Sequence, residues 1–265
     1  MIKVCIAGAT GRMGSTVLRE ACLRKEFEVV GAVESPDNVN IGKTLRALGL
    51  CDTDVKLVGS DRISEAVEEA DVYISFTTPE AEKSNLPRVA DLKKRIVMGT
   101  TGFAEEDLSK LKEAVSKKVP AVFAPNFAIG VNILFKVLRS LEALPESYDF
   151  SIVEMHHRGK KDAPSGTAVK LSDIITSFRN YTKVIHGRSG VSIRRDDEIE
   201  VSSIRAGGIP GIHEVIAAGK YEVIRIEHIS FSRSVFAQGA LYAAEWIYKQ
   251  QTPGIYSMED ILETT

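Results

Sequence analysis

The sequence predicts an α/β protein in two parts: a doubly wound parallel sheet, and a smaller α+β domain with a mainly antiparallel sheet. Three observations predict it. Short apolar runs alternate with amphipathic segments through the first half of the chain, the pattern of strands joined by crossover helices. A glycine-rich turn, Gly8 to Gly14, links the first apolar run to the first amphipathic segment. From Val191 to Phe231, β-rich runs follow one another with only short glycine- and proline-containing breaks.

The elements follow in order. Ile2 to Ala7 reads as a buried strand and Ser15 to Arg24 as a helix. Strands are predicted at Glu28–Val33, Asp71–Phe76, Arg95–Met98 and Ala121–Ala124, with helices at Pro79–Leu92 and Glu105–Lys117. Uniformly apolar strands of this kind are covered by helices on both faces. Past Asn126 the pattern changes. A long apolar-periodic helix spans Ile129–Leu144 and is closed by Pro145; Asp149–Met155 is a strand and Ala168–Phe178 a helix. The breaks at Gly207-Gly208, Pro210-Gly211 and Gly219-Lys220 read as hairpins, and Ser234–Gln250 is again helical. The expected domains are 1–126 completed by 238–265, and 127–237.

Composition bounds the function. Of 265 residues, 44% are hydrophobic and 26% charged, as in an ordinary folded protein. The formal net charge of −2 lacks the basic excess of a nucleic-acid or membrane-surface binder. No stretch approaches the ~20 apolar residues that span a bilayer. The first apolar run is too short for a secretion signal. Three cysteines, Cys5, Cys22 and Cys51, show no CxxC spacing. They suggest neither a disulfide framework nor a zinc site, and hence a cytoplasmic protein.

The turn Gly8-Ala9-Thr10-Gly11-Arg12-Met13-Gly14 has the chemistry of a dinucleotide loop. Gly8 permits a tight turn, Gly11 lets backbone approach a pyrophosphate, and Gly14 allows close helix–strand packing; the helix N-terminus supplies free N–H groups. The spacing is GxxGxxG, and its place between a strand and a helix makes the first part Rossmann-type. Glu34 ends the second strand, placed to accept hydrogen bonds from ribose hydroxyls and to repel a 2′-phosphate. Ser35 offers no cation for such a phosphate, while Arg12 does, so NADH and NADPH both remain open. Gly99-Thr100-Thr101 and Ala124-Pro125-Asn126-Phe127 follow later strands of the same sheet. Ligands bind at the carboxyl ends of such strands, so both loops are expected at the nicotinamide.

The stretch Glu154-Met155-His156-His157-Arg158-Gly159-Lys160-Lys161-Asp162-Ala163-Pro164-Ser165-Gly166-Thr167-Ala168 holds two of the five histidines and a local basic cluster. Adjacent strand residues face opposite ways, so His156 and His157 do not share a metal, and no metal site is expected. Alone, the stretch could be a solvated charged loop. As an anion site, the helix start at Ser165, Gly166 and Thr167 would hold a carboxylate with its N–H groups and hydroxyls. His157 and Lys160 add donors, and a histidine or lysine can pass the proton that accompanies a hydride.

With these motifs the chain resembles, nearly end to end, the 4-hydroxy-tetrahydrodipicolinate reductases, long called dihydrodipicolinate reductases. The resemblance is carried by the glycine loop with Arg12-Met13, by Gly99-Thr100-Thr101-Gly102-Phe103, by Asn126-Phe127 with Gly130-Val131-Asn132, and by Glu154 through Ala168. It implies reduction of (2S,4S)-4-hydroxy-2,3,4,5-tetrahydrodipicolinate by NADH or NADPH with loss of water, in lysine and diaminopimelate synthesis. It implies cofactor contacts at Gly8 through Met13, Glu34, Gly99 through Thr101 and Ala124 through Phe127. His156 matches the proton donor/acceptor, Lys160 the proton donor, His157 a substrate contact, and Gly166-Thr167 the carboxylate-binding pair. It also implies a homotetramer whose second domain binds a small dicarboxylate and joins subunits. Ser35 departs from an arginine found in members that use both cofactors, and Gly159 and Lys161 occupy variable positions. Two other readings remain: a different dehydrogenase on the same scaffold, or a non-catalytic dinucleotide sensor. A hinge between the domains is expected near Asn126-Phe127 and Ala237-Gln238-Gly239.

Overall fold

The computed structural model describes residues 1–263. The chain divides into two compact units, Met1–Ile129 with Arg233–Thr265, and Gly130–Ser232.

The first unit is a parallel sheet covered on both faces. Its elements are β1 (Ile2–Ala7), α1 (Gly14–Cys22), β2 (Phe27–Glu34), β3 (Leu57–Gly59), α2 (Ile63–Val67), β4 (Val72–Ser75), α3 (Pro79–Asp91), β5 (Arg95–Met98), α4 (Glu105–Ser116) and β6 (Pro120–Phe123). Strand order runs β6-β5-β4-β1-β2-β3, every pairing parallel. β1, β4, β5 and β6 are almost wholly buried, which is why their sequences carry apolar runs without alternation. Two clusters fill the unit. One packs Val17, Leu18 and Ala21 of α1 under Val4, Ile6 and Ile74; the other sets Leu86, Val89 and Leu111 against Tyr73 and Ile96.

The second unit begins within α5 (Ile129–Ser140) and continues through β7 (Asp149–His156), α6 (Gly166–Phe178), β8 (Lys183–Ile185), β9 (Glu198–Arg205), β10 (Ile212–Ala218) and β11 (Val223–Ile229). The sheet order is β11-β10-β7-β9-β8. It is mixed: β10 is antiparallel to β7 and β11, whereas β9 is parallel to β7 and β8. The turn at Gly219 is a tight hairpin, closed by Gly219 N–H on the Glu222 carbonyl at 2.9 Å. The breaks from Gly207 to Gly211 are not hairpins. They carry the chain from β9 to β10 around β7, which lies between those strands. A glycine turn marks a reversal of direction, and nothing local specifies which strand receives the reversed chain.

The chain then returns to the first unit with α7 (Ser234–Lys249), β12 (Gly254–Tyr256) and α8 (Met258–Glu263). β12 pairs with β6 as a seventh parallel strand, which the sequence reading did not foresee. Gly239 belongs to this packing. A Cβ there would lie 1.7 Å from the Phe127 carbonyl oxygen, so the glycine lets α7 approach the end of β6. Gly239 is thus held in close packing within the first unit. The crossings lie at Ile129–Gly130 and Ser232–Arg233.

One expectation is overturned. Cys22 at the end of α1 and Cys51 are disulfide-bonded, and both pack on the core beside β1 and β2. Cys5 is free and buried. Spacing alone hid the pair, because the two cysteines lie 29 positions apart and the intervening chain brings them together. A loop of that length corresponds to about 3.5 kcal/mol of chain-entropy stabilisation. Denatured without reductant, the protein should titrate one thiol, and with reductant three. The C22S/C51S variant should melt lower, by on the order of 10 °C. Three thiols without reductant would remove the bond.

Candidate active site

Each unit gathers polar groups at one end of its sheet. In the first unit, Gly8 adopts φ +71°, and a Cβ at Gly14 would lie 2.0 Å from the Gly8 carbonyl oxygen. The turn from β1 into α1 therefore admits no side chain at either glycine. α1 has no side-chain N-cap and no acid in its first turn, so its dipole end is left for an external anion. Glu34 ends β2. Its carboxylate accepts the Thr10 N–H at 3.0 Å and the Thr10 hydroxyl at 2.7 Å, and Asn38 donates to that hydroxyl at 3.2 Å. Ser35 N–H also donates to Glu34, at 3.1 Å. Glycine loop and acid thus form one structure at the carboxyl ends of β1 and β2. These features fit a dinucleotide: a tight backbone turn, an open helix N-terminus and an acid at the ribose position.

The other predicted cofactor residues follow β5 and β6. Thr100 is buried, and its hydroxyl is occupied by Thr77 N–H and by the Glu82 carboxyl, so its side chain is committed within the protein. Thr101 is exposed. Asn126 turns its side-chain oxygen back to the Ala128 N–H at 2.8 Å, while Phe127 is buried edge-on against Phe76, with ring centroids 5.7 Å apart. Met13 packs its side chain on the core, leaving Arg12 as the exposed side chain of the loop.

In the second unit β7 alternates strictly, with Phe150, Ile152, Glu154 and His156 turned inward. The first two join the core beneath α6; the last two open a polar cluster. Glu154 is wholly buried and accepts from three directions. Arg205, on β9, grips both its oxygens at 2.7 and 2.9 Å. Ser165 N–H donates at 3.1 Å, and Nδ1 of His156 lies 2.5 Å away. An ionised carboxylate can only accept, so His156 carries its proton on Nδ1 and leaves Nε2 unprotonated. Arg205 also donates to the Asp162 carbonyl, at 2.5 Å.

Burial works to raise the pKa of Glu154, but Arg205, the Ser203 hydroxyl and His156 outweigh it and hold the carboxyl down at about 2. His156 is lowered, chiefly by burial against the opposing pull of Glu154. It is therefore an uncharged imidazole at neutral pH. His213, opposite Glu154 on β10, is pushed down to about 3 by burial and by His156. Its ring meets His156 edge-on at 5.1 Å.

Ser165 caps α6 by accepting the Ala168 N–H at 3.2 Å, and its hydroxyl bonds Nε2 of His213 at 3.1 Å. Its side chain is thus spent inside the protein, and Ser165 positions the helix end instead of offering a hydroxyl to a ligand. Gly166 opens the helix with empty space where a Cβ would stand, and Thr167 follows it. Lys160 reaches both oxygens of Asp162 at 2.9 Å, and His157 is half-buried beyond the end of β7. The structure therefore brings His156, Ser165 and the start of α6 together around Glu154.

Residues 2–127 match the family description "Dihydrodipicolinate reductase, N-terminus", and residues 130–262 match "Dihydrodipicolinate reductase, C-terminus". The chain belongs to the dihydrodipicolinate reductase family. It is 42% identical over 267 aligned positions to the 4-hydroxy-tetrahydrodipicolinate reductase of Methanopyrus kandleri, covering 99% of this chain and 97% of that one. Identity to the enzyme of that name from Aquifex aeolicus is 40%, over 98% of both chains. Among solved structures, dipicolinate-bound dihydrodipicolinate reductase from Paenisporosarcina sp. TG-14 superposes with a TM-score of 0.78 at 25% identity, covering 97% of each chain. An amine dehydrogenase from Mycobacterium smegmatis shares the fold, with a TM-score of 0.67 at 13% identity over 98% of this chain and 95% of that one.

For a reductase of this family, the sequence reading missed the residues that hold the histidine. Glu154 lies two positions before His156 and so on the same strand face, a signal that was present. Arg205 and His213 occupy inward positions on β9 and β10, where the alternation elsewhere sets Ile199, Val201 and Val215.

A pH consequence follows. A carboxyl whose folded pKa lies below its ordinary 4.5 adds stability above pH 4.5 that is lost as pH falls through about 2. Urea midpoints measured across that window should fall less steeply in E154Q than in the wild type. R205A, which strands the buried carboxylate, should lose about 3 kcal/mol at neutral pH. Equal acid slopes in E154Q and wild type would remove Glu154 from this role.

Proposed function

We propose that the chain reduces (2S,4S)-4-hydroxy-2,3,4,5-tetrahydrodipicolinate to tetrahydrodipicolinate with NADH or NADPH and loss of water, in lysine and diaminopimelate synthesis. The observation that carries this reading is the buried Glu154–His156 pair beside the capped start of α6. It sets an oriented, uncharged imidazole next to a carboxylate-binding helix end. A dinucleotide sensor has no use for that pairing, and the relatives from Methanopyrus kandleri and Aquifex aeolicus bear the reductase name.

In this reading Gly8, Ala9, Thr10, Gly11, Arg12 and Met13 hold the pyrophosphate against the α1 N-terminus, and Glu34 takes the adenosine ribose. Gly99, Thr100, Thr101, Ala124, Pro125, Asn126 and Phe127 form the wall for the nicotinamide, which supplies the hydride when bound. Gly166 and Thr167 receive one substrate carboxylate at the α6 N-terminus, and His157 contacts the substrate. Lys160 is the proton donor. His156, with Nδ1 committed to Glu154, accepts or returns a proton at Nε2.

The disulfide removes the cysteine argument for a cytoplasmic location. That placement now rests on the biosynthetic reaction alone. No helix among the described residues is long and apolar enough to cross a membrane.

A homotetramer fits the second unit. On the sheet face away from α6, Ile204, Met155, Ile212 and Ile229 stand in register across four strands, and Ile204 and Ile229 are more than 40% exposed. We propose that a second copy of the chain covers this row, since a contiguous apolar face in water seeks a partner.

Three measurements test these readings. K160A should lower kcat by roughly 10²–10⁴ with little change in cofactor affinity; near-normal turnover would end its role as proton donor. In a spectrophotometric assay of nicotinamide oxidation with the preceding synthase's product, NADH should serve at least as well as NADPH. Glu34 favours free ribose hydroxyls over a 2′-phosphate, and Ser35 offers no cationic partner. A preference for NADPH of about tenfold, worth ~1.4 kcal/mol, would make Arg12 a sufficient phosphate partner. Light scattering at micromolar concentration should report four chains, and a monomer would contradict the covered face.

A further inference from the structure

The first unit holds a buried acid that the reading above does not use. Glu82 lies in the first turn of α3, fully shielded from solvent. One of its oxygens is met by three hydroxyls, those of Ser75, Thr77 and Thr100, each at 2.6 Å. Thr77 N–H completes the set on the Thr100 hydroxyl at 2.9 Å. The second carboxyl oxygen is buried without a hydrogen-bond partner. Burial pushes the carboxyl's pKa up, against the opposing pull of the three hydroxyls. A buried carboxyl is costly unless it is neutral or well bonded, and a short polar or apolar side chain could fill a helix position at lower cost.

Its neighbours show what the group does. Ser75 ends β4 and Thr100 follows β5, so Glu82 ties the carboxyl ends of two adjacent parallel strands. Thr77 belongs to the segment against which the glycine loop packs. A Cβ at Gly8 would lie 2.3 Å from the Phe76 carbonyl oxygen and 3.3 Å from the Thr77 methyl. A Cβ at Gly99 would lie 2.1 Å from the Phe76 ring. The loops after β1, β4 and β5 thus meet at Phe76-Thr77, and Glu82 fixes that junction from below. The Thr10–Glu34 pair lies apart from this network, at the end of β2.

We propose that Glu82 is a positioning residue for the nicotinamide half of the cofactor, holding the Thr77 and Thr100 segments in the arrangement that receives it. The proposal rests on the dinucleotide reading above. It acts through the backbone of the 99–101 loop, since the Thr100 side chain is consumed in the network. Gln keeps the carbonyl acceptor and the shape, so E82Q preserves the tie. E82A removes it.

The test compares NADH with ADP-ribose, which lacks the nicotinamide, by calorimetric titration of the full-length protein. E82A should bind NADH about tenfold or more weakly, a change of ~1.4 kcal/mol, and ADP-ribose within about twofold of wild type. E82Q should match wild type for both. If E82A does not fold, T100V, which deletes one hydroxyl and keeps the β-branched shape, should show the same selective loss. Undiminished NADH binding in E82A or T100V would overturn the proposal, as would a parallel loss of both ligands. A wild-type protein that binds neither ligand would instead overturn the dinucleotide reading. A wild type that binds NADH no tighter than ADP-ribose would deny the nicotinamide any hold and sink the proposal.

Discussion

The second unit is organised by the burial of one carboxylate. An ion the size of Glu154 cannot leave water without compensation worth several kcal/mol, and the surrounding chain supplies it. Arg205 answers with a two-pronged fork, Ser165 with a backbone N–H, His156 with Nδ1–H. Each donor comes from a different part of the sequence: the end of β9, the start of α6 and the end of β7. Satisfying Glu154 therefore fixes where β9 ends, where α6 begins and which way the imidazole faces. Arg205 spends a further N–H on the Asp162 carbonyl, so the loop that carries Lys160 is tied to the same ion. A site that needs fixed geometry gains it here from a group that cannot be left unpaired.

The first unit meets the same requirement by close backbone packing. Phe76 stands between the Gly8 and Gly99 turns, and its ring meets Phe127 beyond β6. The loops at the carboxyl ends of β1, β4, β5 and β6 thus share one aromatic block. α7, returning late in the sequence, lays Gly239 against the Phe127 carbonyl and adds Ala240, Ala243 and Ala244 to the core. Small residues on that helix let it lie close to the sheet, and the first unit is incomplete without the chain's last thirty-odd residues.

Most of this was legible wherever local pattern and tertiary outcome coincide. The strands β1, β4, β5 and β6 were readable because strands buried on both faces are largely apolar. The Gly8–Gly14 loop was readable because its glycines answer steric demands visible in the spacing. What escaped depends on pairing across distance. The chain order of β9 and β10 suggested neighbours, yet β7 lies between them. Cys22 and Cys51 carry no mark of their bond, and the short strands β3, β8 and β12 are too brief for periodicity to register. In the site, the residues with chemistry of their own, His156 and Lys160, stood out in a conspicuous cluster. Arg205 and His213 stood alone in β-rich sequence, and only the register shows that each faces Glu154 or His156.

Charge balance ties these features to the chemistry. A dicarboxylate approaching the start of α6 would be repelled by a bare Glu154, but the Arg205 fork cancels that charge at contact distance. His156 and His213 are both depressed and contribute no charge near neutrality. The field at the helix end is then set by the α6 dipole and by the exposed cations of the 158–161 loop. Lys160 is held by Asp162, whose carboxyl is in turn lowered by that lysine. An incoming carboxylate would compete with Asp162 for the same ammonium. The neutral His156 follows from the same balance: a second fixed cation would bind a dianion more tightly, but it would remove the unprotonated Nε2. Burial keeps that imidazole uncharged, with Nε2 unprotonated, while Glu154 keeps it oriented.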